Sequence, residues 1–397
     1  MTMNILKKSQ KKSRPLKQSA SHKKWTIGFL AAAVAIWVFY TYIMYNLPEG
    51  PQSIFQNWLP PTTVNESMVW VICALGLNIV VGYAGLLDLG FVAFWAIGGY
   101  SAGWFMSTFF RQVNIHILSP SDAAKQPGIH LTFWAVLGIG GLICAIFGII
   151  IGAPTLRLKS DYLALVTLGF GEIIPQVFTN GEDIAGFNLS NGTKGISPID
   201  NIAVPGKILG PFDFSWKFAI FVFLTAVMVF ISLRLRKGRL GRAWLAIRED
   251  ELAASMMGVP LMSTKLAAYA VGAFSGGVGG VAFATHVNGV FADRFNFSIS
   301  IILLAMVVLG GMGNVWGVMV GALLIAWINS TGLPAFGDLV NNTFHTSINF
   351  PSYNFLLFGG VLILMMLFKR EGMIPESRLK AILHEADDTT SNIGGAH

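Results

Sequence analysis

Arg234-Leu-Arg-Lys-Gly-Arg-Leu-Gly-Arg-Ala-Trp-Leu-Ala-Ile-Arg-Glu-Asp-Glu-Leu-Ala-Ala-Ser-Met-Met-Gly-Val-Pro260 is a polar interruption in a chain that is otherwise apolar. Apolar runs at 216–234 and 265–287 flank it, each about long enough to cross a hydrocarbon core, so the stretch reads as a loop between two membrane spans. Its own pattern predicts a short helix between Gly241 and Pro260. Trp244, Leu245, Ile247, Leu252, Met256 and Met257 are apolar, several of them sharing a face at helical spacing. Arg248, Glu249, Asp250 and Glu251 form a charged patch, and Gly258 followed by Pro260 is a stop signal. Two readings fit such an amphipathic helix: it lies in a groove on a partner, or it lies in the lipid interface.

Working outward, the 397 residues are 54% hydrophobic and 12% charged, against about 25% charged in soluble domains. This composition predicts an all-α polytopic membrane protein. Apolar runs fall at about 25–45, 64–81, 85–108, 133–156, 161–179, 216–234, 265–287, 299–311, 314–330 and 353–368. About ten transmembrane helices put both termini on one side, and the distribution of Lys and Arg tests this. The tail before Trp25, Arg157 with Lys159, the 234–265 loop and the C-terminal tail collect 21 of the 27 cations. That face is therefore expected to be cytoplasmic. The organisation follows: a basic tail at 1–24, a transmembrane domain at 25–368 with a cytoplasmic loop at 235–264 and a long outer loop at 180–215, and a cytoplasmic tail at 369–397. The outer segments 46–63, 109–132, 180–215 and 331–352, rich in Pro, Gly, Asn and Ser, read as irregular loops. The short runs on either side of Gly310-Gly311-Met312-Gly313-Asn314 predict a broken or re-entrant helix, the kind that lines substrate paths in transporters.

The net charge of +7 sits on the membrane-flanking segments, so it does not point to nucleic acid. Cys73 and Cys144 both lie in apolar runs, no His pair has ligand spacing, and no G-x-x-x-x-G-K-[ST] is present. Metal, cofactor and P-loop ATP binding by this chain are not expected, nor is enzyme chemistry. Glycines at four-residue spacing, Gly99 and Gly103, Gly276 and Gly280, Gly313 and Gly317, predict close helix packing. Asn78, Asp88 and Glu172 are polar groups inside or at the edge of apolar runs. Such groups face a cavity or a partner, or pin two helices, because an ionised side chain at mid-bilayer costs at least ~2.5 kcal/mol. They are the candidate translocation-path residues.

Four blocks, Ala74-Leu-Gly-Leu-Asn-Ile-Val-Val-Gly-Tyr-Ala-Gly85, Asp161-Tyr-Leu-Ala-Leu-Val-Thr-Leu-Gly-Phe-Gly-Glu-Ile-Ile174, Gly241-Arg-Ala-Trp-Leu-Ala-Ile-Arg-Glu-Asp-Glu-Leu-Ala-Ala254 and Ser300-Ile-Ile-Leu-Leu-Ala-Met-Val-Val-Leu-Gly-Gly-Met-Gly313, resemble the LivM-type permease subunit of branched-chain amino-acid ABC importers. The likeness runs over roughly 64–370 in one order. It implies the ABC importer permease fold in a bacterial inner membrane, in contact with membrane lipid. The implied partners are a second, LivH-like permease subunit, two cytoplasmic ATPases and an external substrate-binding protein. The family's cytoplasmic loop carries Glu-x-Ala-Ala-x-x-x-Gly, matched by Glu251, Ala253, Ala254 and Gly258. The resemblance thus assigns the loop to docking on an ATPase. Asp88 stands where the family usually has a small polar residue, and Asn191-Gly-Thr-Lys-Gly-Ile-Ser is less glycine-rich than the family pattern. Both bear on the substrate: branched-chain or other neutral amino acids first, urea or short amides second. The rival from another class is an ion-coupled secondary transporter using Glu172 and Asp88.

Overall fold

The computed structural model describes residues 18–46, 48–117, 120, 126–158, 160–204, 207–210, 213–345, 347, 349–368 and 372–374. Most of the basic tail (1–17) and nearly all of the C-terminal tail (375–397) lie outside the described residues. Contacts divide the chain into two units, Met1–Asn46 and Leu47–His397. In the first, α1 (Gln18–Val38) continues through a π-helical turn (Phe39–Ile43).

The second unit is a helical bundle. Its helices are α2 (Glu49–Trp58), α3 (Pro61–Leu77), α4 (Phe91–Phe105), α5 (Phe133–Thr155), α6 (Ser160–Thr179), α7 (Phe214–Lys237), α8 (Arg239–Glu249), α9 (Glu251–Met256), α10 (Leu261–Val287), α11 (Phe297–Gly310), α12 (Val315–Trp327), α13 (Leu333–Phe344) and α14 (Asn354–Phe368). Eight helical stretches among the described residues are long and apolar enough to cross a membrane. Of the ten expected runs, the other two hold α4 and α14, of 15 residues each. The fold is thus an all-α polytopic membrane protein.

The centre of the bundle is α10, packed on α5, α4 and α3. Every residue of α4 from Phe91 to Gly103 is buried, and Trp95 stands among Trp70, Phe283 and Phe295 at ring separations of 4.7–5.5 Å. The rim is made by helices whose exposed side chains within the apolar spans are greasy: Leu142, Ile146, Ile149 and Ile150 on α5, and Phe223, Val227 and Phe230 on α7. In a membrane protein this inversion is expected, because lipid accepts what water rejects.

Three differences from the sequence expectations have local causes. Residues 49–58 and 333–344, expected as irregular, are α2 and α13. Pro48 and Pro60 stand at helix N-termini, where a missing N–H costs nothing, and Pro334 stands just past the π-helical turn that leads into α13. The run 85–108 does not start as a helix. Gly85 has φ +70, and 84–90 is irregular before α4 starts at Phe91, with Leu86, Asp88 and Gly90 buried and Gly85 and Leu87 exposed. The run after Asn314 is longer than expected. From α12 it passes through a π-helical turn (Ile328–Gly332) into α13, and only Gly311 (φ 114) and Gly313 (φ 85) interrupt the chain between α11 and α12.

Short strands lie between the helices: β1 (Met106–Ser107), β2 (Ile115–Ile117), β3 (Ile129–Leu131), β4 (Ile202–Val204) and β5 (Lys207–Leu209). They pair as β1-β3-β2 and β4-β5. The 24 residues of α7, at about 1.5 Å each, separate them from α8 and α9, which therefore mark the opposite end of the bundle.

Candidate coupling and translocation site

At the α8–α9 end the expected single helix is two. Asp250 is extended (φ −156, ψ 113), and its side chain accepts from the Ala253 N–H at 3.0 Å, capping α9. A short acid that bonds its own backbone three residues on favours such a break over helix continuation. The apolar residues consequently divide between two surfaces. Trp244 is fully buried and Ile247 nearly so; the Trp244 Nε1–H donates to the Thr264 carbonyl at 2.8 Å. Leu252, Met256 and Met257 are 68%, 78% and 85% exposed. One set anchors the element to the bundle, and the other is presented outward.

Glu251 pairs with Lys265 at 2.5 Å, the acid half-exposed and the lysine buried. Ala254 is buried and Ala253 exposed. Gly258 takes φ +81 with open space around it, so glycine is required there by conformation and not by crowding. The Gly258 and Val259 amides close the helix end on Ser255 and Ala254 carbonyls. At Gly241 the reason is crowding: a Cβ would overlap the Leu235 and Arg236 carbonyls, which fixes the sharp corner from α7 into α8.

The α8–α9 unit reaches the bundle at a second point. Arg248 Nη1 donates to the Gly82 carbonyl, in the π-helical turn Asn78–Tyr83 that ends α3. Burial lowers the pKa of the guanidinium from its ordinary value, Glu249 raises it and Arg236 lowers it further. The group stays charged because its ordinary value is so high. Asn78 is fully buried and its Oδ1 accepts from the Gly313 N–H at 2.8 Å. Segment 372–374 packs on the C-terminal end of α11, with Met373 and Ile374 amides donating to the Leu309 and Gly310 carbonyls at 2.8 and 3.2 Å.

The three candidate path residues stand in different surroundings. Asp88 is 1% exposed and accepts from the Gly90 N–H at 2.9 Å, with the Tyr269 hydroxyl beside it. It organises the start of α4. Glu172 lies on the exposed face of α6 with Tyr162, Leu165, Ile173 and Gln176. The opposite face of α6 is buried, Thr167 accepting from the Leu89 N–H at 3.1 Å.

The glycines also divide. A Cβ at Gly280 would overlap the Trp95 carbonyl and the Gly98–Gly99 backbone, and one at Gly317 the Gly310 carbonyl. At Gly99, Gly103 and Gly276 the crowding comes from side chains: Phe295, Val290 with Ile196, and Phe94. Gly313 departs from the packing expectation, since it lies in the α11–α12 turn with positive φ. Gly98 also lies on the Gly277 backbone, an approach that four-residue spacing does not mark but the adjacent pair Gly98-Gly99 in an apolar run does.

At the strand end, His130 is buried and bonds Asp200 at 2.7 Å, tying β3 to the segment before β4. A polar cleft of about 660 Å³ opens between α2 and α13, lined by Gln56, Asn57, Asp338 and Asn342 among others. Among the described residues no group of three or more His, Cys, Asp or Glu could hold a metal.

This arrangement, a bundle of helices apolar enough to span a membrane with a short two-helix element anchored at one end and apolar side chains facing out from it, is that of a polytopic membrane protein. A model of the branched-chain amino acid transport system permease component matches residues 61–366; the chain belongs to that family. It is 34% identical over 333 residues to the high-affinity branched-chain amino acid transport system permease protein LivM of Escherichia coli, covering 79% of this chain and 69% of the relative. The probable LivM permease of Methanocaldococcus jannaschii is 27% identical, covering 78% and 91%. A fructose import permease protein, FruF of Bifidobacterium longum, is 24% identical, covering 68% and 69%. No solved structure matches. The protein is thus a non-catalytic transport subunit of an ABC importer, a multi-pass inner-membrane protein that works with ATPase and substrate-binding partners.

Proposed function

We propose that this chain passes branched-chain or other neutral amino acids from an external binding protein to the cytoplasm, paired with a second, LivH-like permease and moved by two cytoplasmic ATPases. The observation that carries the coupling is α9: Leu252, Met256 and Met257 project from an element whose other face is anchored in the bundle. An exposed apolar patch of this kind is a docking surface, and here it sits beside Glu251, Ala253, Ala254 and Gly258. On this reading the α8–α9 end and both tails are cytoplasmic, the strand end receives the binding protein, and about ten helices cross.

Glu172 belongs to the translocation path. Exposed residues within the spans of α5 and α7 are apolar, whereas α6 exposes a carboxylate and Gln176 on one stripe with Leu165 and Ile173. Lipid would oppose that stripe; a water-lined seam against the second permease would not. Asn78 and Asp88, bonded to backbone in the interior, support the path without lining it. The names of the LivM relatives favour amino acids as the substrate. Uptake of labelled leucine by cells lacking other importers, challenged with excess valine, alanine, urea or fructose, tests the assignment. Competition by valine and not by urea or fructose is expected; competition by urea alone would replace the amino acid with an amide.

A further inference from the structure

Besides its ties to α10, the coupling element reaches the turn that ends α3 through a polar side chain, Arg248. Gly82 lies at the C-terminal end of the α3 helical run, where carbonyls run out of helical partners, and its oxygen receives the Arg248 guanidinium. The aliphatic stem of Arg248 lies against Gly85, where a Cβ would come within 2.8 Å of Cγ and where φ is +70. Two independent features therefore fit this turn to this arginine: a carbonyl facing its charge, and a glycine making room for its stem. The next link is equally close. A Cβ at Gly82 would overlap Asn78 Oδ1 and lie 2.7 Å from the Gly313 nitrogen, so Gly82 sits directly on the Asn78–Gly313 hydrogen bond. That bond holds the turn between α11 and α12. The link from α3 passes through π-helical geometry, which has weaker backbone support than an α-helix and is common where helices adjust in function.

We propose that Arg248 is a positioning residue for transport: it converts displacement of α8–α9 into movement of the Asn78–Tyr83 turn and, through Asn78, of the Gly311–Gly313 turn inside the bundle. The inference rests on the reading that α9 docks on an ATPase. Trp244 and the Glu251–Lys265 pair hold α8 and α9 to α10, so the arginine is not needed to keep the element in place. Its role is transmission.

The test uses the complete importer (both permeases, ATPases and binding protein) in liposomes, with uptake and ATP hydrolysis measured in the same preparation. Arg248→Gln should keep hydrolysis within about twofold and lower the uptake-to-hydrolysis ratio at least tenfold, the scale of one charged hydrogen bond. Arg248→Lys, which keeps the charge, should recover part of the ratio. An unchanged ratio in Arg248→Gln overturns the proposal. Should Arg248→Gln fail to assemble, hydrogen exchange of the unmodified complex decides. Locking the ATPases with a non-hydrolysable nucleotide should alter protection at α9 and at the Gly313 amide together. A response at α9 with none at Gly313 overturns the relay while leaving docking intact. No response at α9 overturns the docking reading itself.

Discussion

Trp244→Ala should release α8 from the bundle. The indole is wholly buried, and a buried Trp removes on the order of 150–250 Å² from solvent. At ~25 cal/mol per Å² that is roughly 4–6 kcal/mol, consistent with the about 3–5 kcal/mol usual for Trp→Ala in cores. The bond from Nε1 to the Thr264 carbonyl at 2.8 Å contributes about 1 kcal/mol. Area therefore outweighs the hydrogen bond several-fold. Trp244→Phe, which loses the bond and keeps most of the area, should be mild: a five- to tenfold rise in the detached population, taking ~1.4 kcal/mol per decade. Trp244→Ala should raise it by roughly 10²–10⁴ on the same scale. Tryptic cleavage at Arg242 and Arg248 reads this population when opening is fast relative to cutting. Uptake should fall with it, while membrane abundance stays within about twofold. Equal cleavage rates in the two variants, or wild-type rates in Trp244→Ala, would refute the view that the indole anchors the coupling element.

Gly280→Ala forces a methyl onto the Trp95 carbonyl and the Gly98–Gly99 backbone, which has no free rotamer to yield. A loss of about 1–3 kcal/mol or more is expected, seen as a lower melting temperature in detergent. Gly359→Ala in α14, with open space around it, should be neutral or slightly stabilising. Glu172→Gln should lower uptake more than membrane abundance, measured by immunoblot; parallel loss of both would make the side chain a packing element. At the strand end, Asp213 accepts from Lys207 at 2.7 Å and from the Gly210 N–H at 2.9 Å. Its carboxyl is held below the usual range, first by the Lys207 hydrogen bond. A depressed folded-state pKa contributes stability above the ordinary value of about 3.9 and loses it as pH falls toward the folded value. Exchange at the Gly210 amide should accelerate there in the wild type but not in Asp213→Asn.

The membrane class, the runs that become α5, α7 and α10, and the polar loop between the last two were legible because composition and apolar length decide them directly. The glycine stop at 258 was legible for the same kind of local reason, a backbone conformation that one residue type favours. What the sequence hid depends on meeting in space. Trp244 and Met257 are equally apolar, yet Asp250 turns one inward and the other outward. Asp88 and Glu172 are both acids in apolar company, yet one is buried and bonds the backbone just ahead of α4 and the other lies on an open face. Arg248 read as one charge in a patch, because its partner is a main-chain carbonyl 166 positions away and no side-chain pattern marks a carbonyl. Residues 333–344, polar enough to pass for a loop, form a helix because a π-helical turn carries α12 onward through them.

The account stands on the claim that another chain moves this subunit. Labelled leucine accumulated inside liposomes, with the external binding protein supplied, measures it directly. The two permeases alone, given a proton or sodium gradient, should accumulate nothing; adding the ATPases and ATP should start uptake against the gradient of solute. Accumulation driven by the ion gradient alone would contradict it.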